Sequence, residues 1–312
     1  MEPLFLDSPM HEKIWGGNRL KTEFGYDIPS EHTGEYWAIS AHPNGVSYVK
    51  NGKYAGFHLA ELYKDNPELF GNPKTSVFPL LTKILDANDW LSVQVHPDDA
   101  YGLEHEGELG KTECWYIIDA EEGAEIIYGH KAKTKEELAS LIEAGDWDGL
   151  LSKTPVKKGD FFFVPSGTMH AIGAGILVLE TQQSSDTTYR VYDFDRKDDQ
   201  GNLRELHLEK SIDVLNIGEP ANSRPVTTKV DDLKSTLLVA SDFFAVYKWE
   251  ISSKAYFEKT ADYSLFSVLD GQGSLLVDGQ EYPIAKGSHF ILPSDVQAWE
   301  IQGELELIVS HP

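Results

Sequence analysis

Residues 158–170 read KGDFFFVPSGTMH, and residues 286–298 read KGSHFILPSDVQA. The two align without a gap through Lys-Gly, an aromatic and apolar run, and Pro-Ser. Such a run of β-formers reads as a strand, and the Pro-Ser pair as a turn that re-aims the chain into a following strand. Two copies of one unit predict two related β halves. The copies differ at their end, where His170 of the first becomes Ala298 in the second. One half therefore keeps a functional side chain that the other lacks.

The same punctuation continues on either side of the first copy. Short apolar runs at 77–85, 91–95, 114–119, 125–128, 160–164 and 176–180 are separated by Gly, Pro, Asn and Asp, the pattern of a sandwich or barrel of short strands. Helical signals are few. FHLAELYKDNPELF at 57–70 has helix formers and a proline that interrupts them. TKEELASLIEA at 134–144 opens on Thr134 with Glu137 three residues on, and Gly145 follows it; that is a capping box and a stop. IGEPANSRPV at 217–226 is rich in turn residues and reads as a connector. The chain is accordingly divided into 1–219, with short helical segments, and 220–312, a second β unit.

Composition narrows the function classes. The 312 residues hold 27 Lys and Arg against 51 Asp and Glu, a net charge of −24. A surface of that sign repels nucleic acid and anionic membrane, so neither is an expected partner. The first ten residues include Glu2 and Asp7 and lack the basic and apolar regions of a secretory signal. No apolar run reaches the ~18 residues of a membrane helix. The single cysteine, Cys114, excludes a disulfide framework and fits a reducing compartment. A globular, cytoplasmic protein is expected. The absence of a glycine-rich nucleotide loop disfavours kinases and dehydrogenases.

The spacing Gly159-x5-Pro165-x-Gly167-x2-His170 resembles the second motif of the cupin superfamily. That resemblance implies a mainly β chain of two cupin-type jelly-roll barrels, with a few short helices in the N-terminal part and His170 turned into the first lumen as a metal ligand. Upstream, residues 91–99 read LSVQVHPDD. In a strand, Gln94 and His96 share one face while Val93 and Val95 take the other. Within GKTECWY at 110–116, Glu113 and Trp115 share a face opposite Cys114 and Tyr116. Two imidazoles, a carboxylate and an amide oxygen form a borderline donor set that suits zinc, iron or manganese with one position left open. Cupins carry His-x-His where this chain has Gln94 and His96, which narrows the family.

QVHPDD at 94–99, GKTE at 110–113, PSGTMHAIG at 165–173 and SSDTTYR at 184–190 together resemble type I mannose-6-phosphate isomerase, as do GEYWAISAHPNG at 34–45 and FPLLTKILDA at 78–87. The likeness runs over residues 1–215 and has the brevity of the compact bacterial branch. It implies a zinc-dependent aldose–ketose isomerase acting on a sugar phosphate, mannose 6-phosphate or fructose 6-phosphate, with one zinc ion per chain in a monomer or homodimer. The family's ligands fall on Gln94, His96, Glu113 and His170, and its catalytic arginine on Arg190. Lys111 and Asp186 compete for the role of base: neighbouring positive charges favour the neutral amine that a lysine base requires, whereas Asp186 could instead orient Arg190. Larger members have a lysine six residues after the catalytic arginine, where this chain has Arg196; Arg196 is thus a phosphate-binding candidate, with Ser92, Lys111 and Lys197 as weaker ones. A strongly acidic protein needs a locally basic mouth to admit such a substrate. Asp98, Asp99 and the acidic run 104–108 are expected in a solvated loop, and the second half is expected to hold no metal.

Overall fold

The computed structural model describes all 312 residues, laid out mostly as strands in three antiparallel sheets. A six-stranded sheet runs in the order Phe161–Val164, Glu113–Ala120, Ile176–Gln183, Leu80–Ala87, Thr33–Ile39, Met10–Gly17. A five-stranded sheet runs Tyr189–Tyr192, Val93–Val95, His170–Ile172, Glu125–His130, Leu151–Pro155. Their inner faces share one core, to which Leu85, Trp115, Ile117 and Val178 come from the first sheet and Ile126, Tyr128 and Ile172 from the second. These two sheets form the first barrel.

Alternation along each strand sorts the remaining side chains. Ile127, Val93, Val95 and Ala171 face outward from the five-stranded sheet and are covered by Leu138 and Ile142 of the helix Lys135–Ala144. That helix begins as its sequence predicts, with the Thr134 hydroxyl accepting the Glu137 N–H at 3.1 Å, and it ends on left-handed Gly145. From the six-stranded sheet, Cys114, Tyr116, Ile118, Leu177 and Leu179 face outward into a core shared with Leu238, Val246 and Ile308 of the C-terminal part. One strand, Glu113–Ala120, thus feeds the barrel lumen with its odd-numbered residues near the start and the inter-barrel core with its even-numbered ones.

The second barrel is built on the ten-stranded sheet, whose long strands Ser264–Val277 and Ala298–His311 pair along most of their length. Its lumen is filled: Phe266 and Phe290 stack with centroids 4.8 Å apart, and Trp299 and Ile301 pack beside them. His170 and Ala298 each open a strand, His170–Ile172 and Ala298–His311, so the repeat in the sequence is a repeat in structure. The first strand, Leu4–Asp7, pairs with His289–Leu292 and so belongs to the sheet of the C-terminal residues. A strand therefore crosses the division drawn at 219/220, and nothing in turn chemistry announces it.

Candidate functional site

Two rows of side chains face each other across the first barrel. In the five-stranded sheet, Gln94 lies directly opposite His170 on one side and Arg190 on the other. Opposed residues of antiparallel strands project to the same face, so Arg190, Gln94 and His170 stand in line. In the six-stranded sheet, Glu180 lies opposite Trp115 on one side and Lys83 on the other. His96 follows the strand Val93–Val95, and its carbonyl accepts the Gly167 N–H at 2.8 Å. Only glycine suits position 167: φ is +81°, and a Cβ there would lie 2.4 Å from the Asn216 amide nitrogen.

At one end of the rows, His96, Glu113 and His170 converge, each at most 2 % exposed, with their ligating atoms all within 4.8 Å of one another. His96 Nδ1 lies 2.9 Å from the Thr187 carbonyl and His170 Nδ1 lies 2.8 Å from the Thr168 carbonyl. A carbonyl only accepts, so each Nδ1 carries the proton and each Nε2 presents a lone pair. Those Nε2 atoms stand 3.4 and 3.2 Å from the two Glu113 oxygens. Both Nε2 atoms and Glu113 Oε2 are buried without a hydrogen-bond partner. Buried acceptors grouped in this way are costly unless a cation joins them, and two imidazoles with a carboxylate fit a zinc-type ion. The carbonyl contacts to Nδ1 are the supports that such ligands need.

The electrostatics agree with that donor set. Burial, reinforced by Lys111, pulls His96 down to about 3, so its ring is neutral at neutral pH. Burial and the charge of Glu113 raise Glu180 above the usual carboxylate range. Trp115 Nε1 bridges the two acids, donating at 3.1 Å to Glu113 and 3.0 Å to Glu180. Glu35 is also buried, but Lys83 and Lys13 overcome the burial and hold it at about 2.

Beside the triad lies a cavity lined by Lys13, Lys83, Lys111, Arg190 and Arg204, opposed by Glu35, Glu180 and Asp186. Five cations face three acids, so the balance is positive in a protein whose total charge is −24. The local basicity required of the mouth is therefore present. Ser92 and Gln94 also line it, as do Trp15 and Trp115. Broader grooves, such as the one bounded by Lys229, Glu250 and Glu306 on the second barrel, carry none of this chemistry.

Most residues singled out from the sequence meet here, with three corrections. Arg196 does not line the cavity; its guanidinium is spent on Asp193, Asp89 and the Trp90 carbonyl. Asp186 reaches the cavity but makes no ion pair with Arg190; it is exposed and bonded by the Asn44 amide at 2.9 Å. Arg190 is set instead by His207, whose Nδ1 accepts its backbone N–H, and by the Glu205 carbonyl, which accepts from Nη1 at 2.8 Å. The acidic stretch is no loose loop. Asp98 caps the helix Asp99–His105, and Glu108 turns inward to bond His42, the Thr187 hydroxyl at 2.7 Å and the Asp186 N–H at 3.2 Å. Lys83, Glu180, Glu35 and Arg204 escaped the sequence reading. Lys83 and Glu180 lie in apolar strands, where a polar residue on the lumen face was the available signal.

Residues 4–119 match the family model "Phosphomannose isomerase type I, catalytic domain", and residues 234–312 match "Mannose-6-phosphate isomerase, cupin domain". The chain is 70 % identical over 310 residues to the mannose-6-phosphate isomerase of Streptococcus mutans, covering 99 % of this chain and 98 % of that one. It is 54 % identical over 312 residues to a mannose-6-phosphate isomerase of Bacillus subtilis, covering 99 % of each. A crystal structure of mannose 6-phosphate isomerase from Bacillus subtilis superposes with a TM-score of 0.97 at 49 % identity, covering 100 % of both chains. A phosphomannose isomerase structure from Salmonella typhimurium, at 15 % identity and a TM-score of 0.83 over 100 % of this chain and 99 % of that one, shares the fold.

Proposed function

Because this chain belongs to the type I phosphomannose isomerase family, we propose that it interconverts mannose 6-phosphate and fructose 6-phosphate through an enediol, in the cytoplasm and with one zinc ion. The observation that carries this reading is the meeting of three buried, unpartnered acceptor atoms, from His96, Glu113 and His170, beside a cavity that contains Arg190. Gln94, in register with His170 and facing the same cavity, is the fourth ligand in this reading. When bound, the ion supplies a positive charge that polarises hydroxyl and carbonyl oxygens.

Aldose–ketose conversion moves a proton between C2 and C1 of the open sugar, so one base must reach both carbons and a cation must meet the enediolate oxygen. Arg190 supplies the cation, being charged at any working pH and therefore unsuited to be the base. Its Nε is buried and unpartnered, and its backbone is fixed on both sides by His207. We assign the base to Lys111, which lines the cavity, is 5 % exposed and has its Nζ 3.8 Å from Glu113 Oε2. Asp186 is exposed to water, which weakens its claim. Ser92 adds a hydroxyl donor at the cavity wall.

The test is a coupled assay for fructose 6-phosphate formed from mannose 6-phosphate. Activity is expected to vanish on chelation and to return with zinc, and Arg190→Ala should cost about two to three orders of magnitude in kcat. Full activity in chelated protein, or an unaffected Arg190→Ala, would overturn the reading.

A further inference from the structure

We propose that Arg204 is the cation that recognises the phosphate group in this cavity, and that Arg196 is a positioning residue held behind it by a shared Asp193. The proposal rests on the sugar-phosphate reading above and names the group that takes the phosphate end. Arg204 lines the cavity together with Arg190 and Ser92, whereas Arg196 does not.

Asp193 is buried and accepts from both arginines. Arg204 donates to it twice, from Nε and Nη2, both at 2.7 Å. Arg196 donates to it from Nη2 at 2.6 Å and turns Nη1 to the Trp90 carbonyl at 2.6 Å. A two-point bond to a carboxylate fixes the plane of a guanidinium. It leaves Nη1 of Arg204 without a protein acceptor, on a side chain that is 26 % exposed.

The backbone is shaped to this end. Phe194 and Asp195 are consecutive left-handed residues, φ +58° and +54°, just after Asp193. Neither is glycine, so the turn is held by its contacts; Phe194 packs on Trp90 and Tyr192. A hairpin closed by the Lys197–Leu203 bridge then brings Arg204 back beside Arg196.

The other cations of the cavity have carboxylate partners. Lys83 and Lys13 both approach Glu35, and Lys111 approaches Glu113. Arg190 and Arg204 face the cavity with no carboxylate of that wall bonded to them. Asp193 and Asp89 between them offset Arg204 and Arg196, so Arg190 brings the net positive charge to this end of the cavity while Arg204 offers a free Nη1 there.

The test uses zinc-loaded enzyme and measures turnover of mannose 6-phosphate together with competitive inhibition by inorganic phosphate. Arg204→Gln should raise both KM and the phosphate inhibition constant at least about tenfold, the size of a lost charge-assisted hydrogen bond, with kcat within about threefold. Arg196→Gln should give a smaller shift of the same kind, and Arg204→Lys should fall between wild type and Arg204→Gln. An unchanged phosphate constant in Arg204→Gln, or a larger shift in Arg196→Gln, would overturn the assignment. Should Arg204→Gln not fold, Arg204→Lys decides, since a wild-type phosphate constant there would also overturn it. If wild-type enzyme turns over no mannose 6-phosphate, the functional reading fails, and calorimetric titration of the same variants with inorganic phosphate still judges Arg204.

Discussion

Lys111 and Asp186 differ in what surrounds them, and the proposal that Lys111 is the base rests on that difference. Lys111 is enclosed beside Glu113, while Asp186 sits in water with the Asn44 amide on its carboxylate. Removing a general base costs about 10²–10⁴ in rate. Lys111→Met should therefore lose kcat within that range while still binding inorganic phosphate, and Asp186→Asn should lose less than about tenfold. The reverse ranking in steady-state kinetics would move the base to Asp186. Glu35 offers a separate test through stability. Burial opposes its charge, but Lys83 and Lys13 hold its carboxyl at about 2 against the usual 4.5. A depressed acid stabilises the fold above its unfolded-state value and loses that contribution as pH falls toward its folded-state value. Wild type should then melt above Glu35→Gln at pH 6, with the gap closing below pH about 4.5 as the unfolded chain takes up the proton. A gap independent of pH in thermal melts would show that Glu35 acts by shape alone.

Among the elements, the segment from Ser184 to Thr188 ties His96 to the acidic stretch that precedes Glu113. Its Thr187 carbonyl orients His96, and Glu108 holds the segment from the far side through Thr187, Ser185 and Asp186. Glu108→Gln should leave the fold intact and lower kcat by about tenfold through a less well-set His96, because support for a metal ligand is worth about 10–100-fold. Unaltered kcat and metal affinity would reduce Glu108 to a surface contact. The helix Lys135–Ala144 supplies a stability test: Thr134→Ala should cost about 1 kcal/mol in denaturant melts, without altering activity. Strand faces explain what was legible in the sequence. His170, Glu113 and His96 sit beside Pro, Gly and Lys at spacings that turn chemistry imposes, so their motifs stand out. Lys83 and Glu180 join the site through register between strands far apart in the chain. Register depends on which strands pair, and no single segment carries that information. Arg204 was hidden by a hairpin, and Arg196 was misplaced because sequence spacing from Arg190 says nothing about which way that hairpin turns its two ends.

At the scale of the whole molecule, the second barrel holds stacked rings where the first holds polar side chains, with Phe266, Phe290 and Trp299 filling the space. Its service to the first barrel is burial. Leu4 and Leu6 lie in a strand shared with the C-terminal sheet, and Cys114, Tyr116 and Leu179 lie under Leu238, Val246 and Ile308. Each fully buried side chain of this kind contributes about 1.5–3 kcal/mol, so a chain ending at residue 219 should be insoluble or lack near-ultraviolet dichroism. A folded monomer of residues 1–219 on size exclusion would show the halves to be independent. The repeat was legible because both copies keep Lys-Gly and Pro-Ser, whereas the strand crossing from the N-terminus to the far sheet has no marker of its own. The proposed chemistry rests in the end on a cation joining His96, Glu113 and His170. Anomalous diffraction from crystals of the zinc-loaded protein, collected on both sides of the zinc edge, tests this most directly. One peak is predicted, within bonding distance of both Nε2 atoms and of the Glu113 carboxylate; no peak at that position, or one confined to the second barrel, would contradict it.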